Sequence, residues 1–153
     1  MLPASQQIVV PFERWPIHFE GWKLAKPVAE DMPGILKEVL KKLSNNSPIL
    51  GAAILSVEGL PLVSHFHGRT EEVAVAAMVA GIHSAGEQTV RELRQGNLKS
   101  IIIQGSRGST LVVTMPSEYL LAVTAPENAR LGLIFNDAKL AAREATKILR
   151  DLT

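Results

Sequence analysis

Two histidines and two glutamates lie close together in the sequence, and side chains of these types can bind a metal ion. His65 and His67 alternate along a predicted strand and therefore share one face, while Glu71 and Glu72 follow a few residues later. A zinc site needs at least three protein ligands that are held in place by further hydrogen bonds. Two histidines at the end of a strand do not specify such a site, and we expect them to face solvent. We therefore expect no metal and no other cofactor.

Other catalytic patterns are incomplete. Residues 105–110 read Gly-Ser-Arg-Gly-Ser-Thr, which looks like a phosphate-binding loop, but the lysine and the following helix of such a loop are missing from the sequence. A hairpin turn explains this segment better. The chain contains no cysteine, and its serines and histidines form neither a G-x-S-x-G nor an H-E-x-x-H motif. We expect no catalytic residues, and an enzyme that uses the His65/His67 region is the least favoured alternative.

Length and charge restrict the class of protein. The chain has 153 residues, enough for one domain with a sizeable core, and it carries 16 basic and 15 acidic side chains. The longest basic run is Lys41-Lys42, so the sequence offers no electrostatic footprint for nucleic acid. The N-terminus lacks the basic and apolar regions of a secretory signal. We expect a cytoplasmic protein that does not insert into a membrane.

The most informative element is the segment from Thr70 to Leu93, which the sequence predicts to be one long helix. Thr70 is the expected N-cap before the acidic residues 71–72, and the run Val73–Ile82 then leaves no polar face for water. Ten apolar residues are about half of what a bilayer span requires, so protein rather than lipid should cover the second face. This pattern indicates a domain that self-associates.

In our interpretation, two stripes of this helix pack against different partners. The larger side chains at Val75, Val79, Ile82, Val90 and Leu93 should face the sheet of the same chain. The neighbouring stripe is mostly small, which lets a second helix approach closely, and the strand at Lys99–Ile103 should pair with its own copy. The predicted dimer interface comprises Ala74, Ala77, Met78, Gly81, Ala85, Ser100, Ile101, Ile102 and Ile103. The alternative is that the small stripe packs under the N-terminal residues of its own chain.

Residues 1–29 differ in composition from the rest and are predicted to form an N-terminal arm, followed by the domain at residues 30–153. The arm holds four of the seven aromatic residues and four of the nine prolines. Because Pro16 interrupts the helical spacing of these aromatics, we expect an extended or kinked segment. Exposed tryptophan rings are unfavourable in water, so Trp15 and Trp22 are expected to dock on the core or on a partner.

The predicted elements give an α+β domain. A first helix should begin near Pro33 after Asp31, and the first and last helices have clear polar faces, so they can share one side of a five-stranded antiparallel sheet. The long apolar helix is then alone on the other side. The predicted strands lie at 49–57, 60–66, 98–104, 110–115 and 118–124, with a tight turn at Glu58-Gly59 and a last helix at 129–152.

From residue 34 onward the chain resembles the Roadblock/dynein light chain family. The resemblance is carried by the hairpin Gly51-Ala-Ala-Ile-Leu-Ser-Val-Glu-Gly-Leu-Pro-Leu-Val63, by the alanine-rich helix after Glu71-Glu72, and by Asn128-Ala-Arg-Leu-Gly-Leu-Ile134. It implies a Roadblock α-β-α sandwich of the order αββαβββα, related to longin and profilin-like folds. It also implies dimerisation through the second helix and the third strand, without active-site chemistry.

The resemblance further implies a function. Family members act as dimeric scaffolds and as regulators of Ras-like small GTPases, and one bacterial polarity regulator stimulates GTP hydrolysis in its partner. We therefore expect a dimer, with itself or with a paralogue, that binds a Ras-like GTPase or other Roadblock or longin proteins on its paired second helices. Arg91 and Arg94 are candidates for that contact. Alternatives are a small-molecule sensor of the profilin, PAS or GAF type and a purely structural assembly scaffold; association with dynein is less favoured.

Overall fold

The computed structural model describes the backbone of residues 19–68 and 70–152, and the side chains of residues 32–68 and 70–151. The described residues form three helices and five strands in the order αββαβββα, which confirms the predicted fold. The helices are α1 (Phe19–Asn46), α2 (Glu72–Glu92) and α3 (Leu131–Leu152), and the strands are β1 (Gly51–Ser56), β2 (Pro61–Phe66), β3 (Ser100–Gly105), β4 (Gly108–Met115) and β5 (Tyr119–Pro126). The strands, α2 and α3 all belong to one unit of the chain, Met32–Thr153.

The five strands form one antiparallel sheet in the order β2-β1-β5-β4-β3. The β1–β2 turn contains Gly59 at φ +96°, a left-handed conformation that glycine adopts without strain. In the β3–β4 hairpin, Gly105 pairs with Gly108, so only Ser106 and Arg107 form the turn. The segment that looks like a phosphate loop is thus the predicted hairpin. Strands β2 and β3 are the two edges of the sheet.

Helices α1 and α3 lie on the same face of the sheet, as predicted. Their apolar stripes meet the strands in one buried cluster, which includes Leu36 and Leu40 from α1 and Ile134 and Ala138 from α3. Polar contacts also join α3 to α1 and to Ser47, the residue that follows α1. The Ser47 hydroxyl donates to Oδ2 of Asp137 at 2.5 Å, and Lys42 Nζ lies 3.7 Å from Glu144 Oε2. These two contacts direct Asp137 and Glu144 of α3 toward α1 and the residue that follows it.

The start of α1 differs from the prediction. The sequence places it near Pro33, whereas the helix begins at Phe19 and runs through both Pro27 and Pro33. A proline removes one backbone hydrogen bond without ending a helix whose neighbouring residues favour helical geometry. Residues 19–29 are helical, so of the two predicted forms of the arm, extended or kinked, the extended one is wrong for them. Trp15 lies outside the described residues and so does the side chain of Trp22, and their predicted contacts stay predictions.

Helix α2 packs on the opposite face of the sheet, as predicted, but with a different set of residues. The buried positions are Ala76, Val79, Ala80 and His83. They pack against the strands through a second buried cluster, which contains Ala53, Leu55, Val112, Leu120 and Ala122. The helix presents small side chains to the sheet because it lies close to it. A Cβ atom added at Gly86 would lie only 3.0 Å from Cδ2 of Leu98.

The predicted sheet-facing stripe of α2 is therefore only partly correct. Val79 is buried and Val75 packs at the margin of the cluster, but Leu93 is 62% exposed. The N-terminus of the helix also differs, because Glu71 occupies the N-cap position and no side chain makes a capping hydrogen bond there. Thr70 thus precedes the cap. A hydrophobicity pattern that is apolar all round does not fix the rotation of a helix, and close packing has selected the smaller residues.

Candidate interaction surface on α2 and the β3 edge

The outward face of α2 is an exposed apolar strip. Its 21 residues extend over about 31 Å at 1.5 Å per residue. All five α2 residues of the predicted interface are exposed, including Met78, which is 60% exposed. Val73, which lies near them, is 70% exposed. These five residues are Ala74, Ala77, Met78, Gly81 and Ala85. Apolar side chains grouped on one face in this way are typical of an interaction surface.

Two glycines mark the two sides of α2. Gly86 faces inward, where an added Cβ would lie 3.0 Å from Leu98 and 3.2 Å from Ile101. Gly81 faces outward, and apart from the adjacent turns of its own helix no described atom lies within 4 Å of the position that its Cβ would take. The absence of a side chain at Gly81 leaves space at the centre of the exposed strip. Small residues at such a position let the backbone of another helix come close.

Strand β3 supplies the second part of the surface. It pairs with β4, and its other edge has no partner strand among the described residues. The carbonyl of Lys99 accepts from the backbone N–H of Thr114 at 3.0 Å, so the antiparallel alternation directs the backbone groups of Ser100 and Ile102 away from β4. The unpaired N–H and C=O groups of an edge strand are a template for another strand.

The side chains of β3 divide between the chain's own core and the open surface. Ile101 packs at the margin of the α2 cluster, so part of its side chain is already buried within its own chain. Ile102 is 49% and Ile103 39% exposed, whereas Ser100 is half-buried. Ile101, which pairs with Val112 of the α2 cluster, lies on the α2 face of the sheet together with Ile103. Ser100 and Ile102 alternate to the opposite face, so only two of the four predicted β3 residues direct their side chains to the side of α2.

Arg91 and Arg94 lie at the C-terminal end of this surface. Arg91 is in the last turn of α2, and Arg94 follows the helix in a left-handed conformation at φ 55°. Both side chains are exposed, and neither forms an ion pair with another residue in the described part of the chain. Beside them, Ala85, Gln88, Thr89, Glu92 and Leu93 line a shallow recess.

The histidines at the end of β2 are engaged with α1 and with each other. The rings of His65 and His67 meet edge to face with centroids 5.3 Å apart, and Nε2 of His67 lies 2.9 Å from the Ser44 hydroxyl. Burial lowers the pKa of His65, and the nearby positive charges of His67, Lys37 and Lys41 lower it further. Among the described residues no three potential metal ligands come together. His67 is exposed, as expected, whereas His65 is half-buried.

A recess of about 680 Å³ lies between the C-terminal half of α2 and the end of the sheet. Its polar lining includes His83, Glu87 and Tyr119. Nε2 of the buried His83 lies 3.4 Å from Oε1 of Glu87, so one turn of the helix already provides a partner for this imidazole. His83 was not recognised from the sequence, since a single histidine in an alanine-rich run carries no pattern that distinguishes a buried position.

The sequence that builds this surface also matches a known domain. The sequence model of the Roadblock/LC7 domain aligns with residues 35–125, which is more than half of the chain. The chain belongs to the Roadblock/LC7 domain family. The matched segment contains α2, all five strands except the last residue of β5, and the C-terminal part of α1 from residue 35 onward.

Individual relatives and solved structures agree with this assignment. An uncharacterized protein of Methanocaldococcus jannaschii is 31% identical over 110 residues, which cover 72% of this chain and 96% of that protein. A structure of MglB in a tetrameric arrangement is similar with a TM-score of 0.75 at 20% identity, covering 80% of this chain and 93% of that one. The MglB of Myxococcus xanthus gives 0.72 at 19% identity, with coverages of 77% and 90%. These structures share the Roadblock fold with the chain.

None of the helices in the described part of the molecule has the length and apolar character that crossing a bilayer requires.

Proposed function

We propose that this Roadblock/LC7 chain is a non-catalytic, cytoplasmic homodimer that acts as a scaffold and regulator of a Ras-like small GTPase. The observation that carries the proposal is the exposed apolar face of α2 beside the unpaired edge of β3. A surface of this kind is unfavourable in water for an isolated chain. A second copy supplies a self-complementary surface under two-fold symmetry, since the same patch then meets itself.

The two elements suggest how the copies meet. Pairing β3 with its copy converts two five-stranded sheets into one continuous ten-stranded sheet and satisfies the outward backbone groups of Ser100 and Ile102. The α2 helices of the two chains then lie side by side on the same face of that sheet. Contact at Gly81 lets their backbones approach closely, with Ala77 and Ala85 one turn before and after it.

The paired α2 helices form the platform on which a GTPase binds in this proposal. A platform without catalytic residues changes the rate of GTP hydrolysis only if it binds one conformation of the GTPase switch segments more tightly than the other. A tenfold preference corresponds to about 1.4 kcal/mol of differential binding. The family resemblance supports a GTPase as the partner, and other Roadblock or longin proteins are the alternative partners for the same apolar platform.

Arg91 and Arg94 are proposed contacts at the edge of this platform. Both guanidinium groups are exposed at the end of α2 and available to acidic groups of a partner. Replacing both with alanine should weaken GTPase binding without changing the mass of the dimer. Unchanged affinity in a titration monitored by fluorescence would remove the two arginines from the site.

The proposal is tested by a variant that disrupts the contact between the paired α2 helices, and with it the platform they form, and by a matched control. Gly81→Arg places a long charged side chain at the centre of the strip, where the described chain leaves the position open. Gly132→Arg makes the same change on α3, where the added Cβ also meets nothing within 4 Å. The measurement is the hydrolysis of GTP by the Ras-like GTPases of the same organism, with each protein variant added.

We expect the wild type and Gly132→Arg to bind a GTPase and to change its rate of hydrolysis, and Gly81→Arg to do neither. Binding without any change in rate would instead support the purely structural scaffold. Absence of binding to every Ras-like GTPase by a dimeric wild type would contradict GTPase regulation. An equal effect of the two arginine variants would show that the strip on α2 is not the platform.

A further inference from the structure

Helix α3 carries a line of basic side chains that are not consecutive in the sequence. Lys139, Arg143, Lys147 and Arg150 are separated by four, four and three residues, so they lie on one side of the helix. The last residue before β3, Lys99, stands across from them, and all five side chains line one groove of about 440 Å³. We name these five residues and the surface between them the basic groove.

The basic groove has an apolar floor and contains no acidic residue. Its floor includes the buried Val113 and Ala142, with Pro116 at one end. The hydroxyl groups in the lining are already bonded within the chain, since Thr146 donates to the carbonyl of Ala142 at 2.7 Å and Thr114 donates to that of Lys99 at 2.9 Å. The cationic side chains are therefore the polar groups of this groove that remain available to a ligand.

Of the three acidic residues of α3, Asp137 and Glu144 are engaged elsewhere, and the exposed Asp151, four residues after Lys147, forms no ion pair in the described part of the molecule. Asp137 accepts from Ser47, and Glu144 pairs with Lys42 of α1. Lys139 lies 4.8 Å above the centroid of the Phe135 ring instead of beside a carboxylate. In the described part of the molecule, none of the five basic side chains has an ion-pair partner. Like charges four residues apart destabilise a helix by a few tenths of a kcal/mol each, so the arrangement is not favoured by the helix alone.

We propose that the basic groove binds an acidic segment of a partner protein, on the face of the sheet opposite to the α2 platform. The four α3 side chains extend over about 16 Å of helix, a length that three turns of a helix or about five residues of extended chain would match. Carboxylates of the segment meet the lysines and arginines of the rim, and apolar side chains between them cover Val113 and Ala142. The site goes beyond the proposed GTPase function and does not depend on it.

The lining favours an acidic polypeptide over other polyanions. The groove contains no aromatic side chain on which nucleic-acid bases would stack, and the net charge of the whole chain is only +1. An anionic membrane would contact a projecting surface, whereas these cations line the walls of a recess with an apolar floor. An amphipathic acidic segment uses both the cations and the floor.

The test measures the binding of a labelled twelve-residue peptide of Glu-Glu-Leu repeats to the full-length protein by fluorescence anisotropy at low salt. The groove variant is Arg143→Glu with Lys147→Glu. The matched control is Arg107→Glu with Arg130→Glu, which changes the net charge by the same amount on exposed side chains outside both the groove and the α2 platform. A peptide of Lys-Lys-Leu repeats, anionic phospholipid vesicles and a twelve-nucleotide poly-dT strand serve as competing probes.

We expect the acidic peptide to bind, the groove variant to bind it at least about tenfold more weakly, and the control to retain affinity within about twofold. Amide resonances of residues 113 and 142 should shift on binding in the wild type. Absence of peptide binding overturns the proposal, whether the groove is empty or is filled by other residues of the chain. It is also overturned if both variants lose affinity equally, or if vesicles or poly-dT bind more tightly than the peptide.

Discussion

Single glycines set the closest approaches in this domain. Gly51 of β1 pairs with Phe66 of β2, and the aromatic ring covers the glycine. Gly86 gives the same kind of close contact between α2 and the residues that lead into β3, whereas Gly81 leaves space on the outside. Two glycines of one helix thus serve different surfaces. At Gly51 the Phe66 ring occupies the volume that a side chain would need, whereas at Gly86 the ends of Leu98 and Ile101 would have to shift by a few tenths of an ångström.

Replacing Gly51 with alanine should destabilise the domain. An added Cβ would lie 2.9 Å from Cγ of Phe66 and still closer to its Cδ1 atom, so the ring or the strand must move. Such overpacking costs about 1–3 kcal/mol. Chemical denaturation measures the loss. Gly34→Ala is the control, because its Cβ meets nothing within 4 Å and alanine favours the helix by about 0.5–1 kcal/mol.

A Gly51→Ala variant as stable as the wild type would show that Phe66 does not hold this position. The double variant Gly51→Ala with Phe66→Leu should recover part of the loss, since leucine removes the ring atoms that the new methyl group meets.

His65 should make stability depend on pH in the acidic range. Its pKa is lowered below 6.5 by burial and by His67, Lys37 and Lys41, so the unfolded chain binds more protons between the lowered pKa and 6.5. The contribution is fully present above about pH 6.5 and is lost as the pH falls through the folded-state value. NMR titration of the imidazole should place this pKa below 6.5, and His67→Gln should raise it. A titration of His65 at or above 6.5 contradicts this account.

At the level of residues, the basic stripe of α3 could have been predicted from the sequence. A search for consecutive lysines and arginines reaches only Lys41-Lys42, whereas the α3 side chains are neighbours at helical spacing. Inspection of the charges at i, i+4 and i+8 of the predicted last helix would have revealed the stripe. The contribution of Lys99 could not be predicted, because a residue before β3 joins α3 only through the tertiary fold.

At the level of elements, the sequence predicts the helices and strands whose hydrophobic residues recur at regular spacing. It does not predict features that depend on tertiary packing, such as the rotation of a helix. The alternation and the turn residues place all five strands, and the amphipathic stripes of α1 and α3 identify their buried faces. Helix α2 has apolar residues all round, so its sequence does not distinguish Val75 from Ala76 as the residue that faces the sheet. Its rotation follows from how closely it packs on the sheet, as the contact at Gly86 illustrates. The sequence pattern places Pro33 in the first turn of α1, whereas the helix begins at Phe19 and continues through this proline.

The edge of β3 allows a sharp test with two neighbouring proline substitutions. Ile102 directs its N–H away from β4, so Ile102→Pro should leave the fold intact and weaken the pairing of two chains. Ile103 directs its N–H toward β4, so Ile103→Pro should remove a hydrogen bond of the sheet and destabilise the domain itself.

Circular dichroism and thermal unfolding report on the fold of both proline variants, and analytical ultracentrifugation reports on their association. Equal association of Ile102→Pro and the wild type would exclude the β3 edge from the interface. Loss of the folded state in Ile102→Pro would mean that the alternation assigned to this strand is wrong.

On the scale of the whole molecule, the sheet separates two surfaces of different character. One face carries the apolar strip of α2, and the other carries the basic groove between α3 and the start of β3. In our proposals, a second copy and a GTPase bind on the first side, and an acidic segment of a partner binds on the second. The family assignment rests on the order and packing of the elements, whereas the proposed partners rest on the chemistry of these two surfaces.

The central claim is that the α2 strip and the β3 edge meet their own copy. Its most direct test is the mass of the full-length protein in solution, measured by light scattering during size-exclusion chromatography at micromolar concentration. The account predicts a mass twice the 16.6 kDa of one chain, or a larger even multiple of it. A mass of 16.6 kDa across the micromolar range would contradict the account, because the exposed apolar face would then have no partner of its own kind.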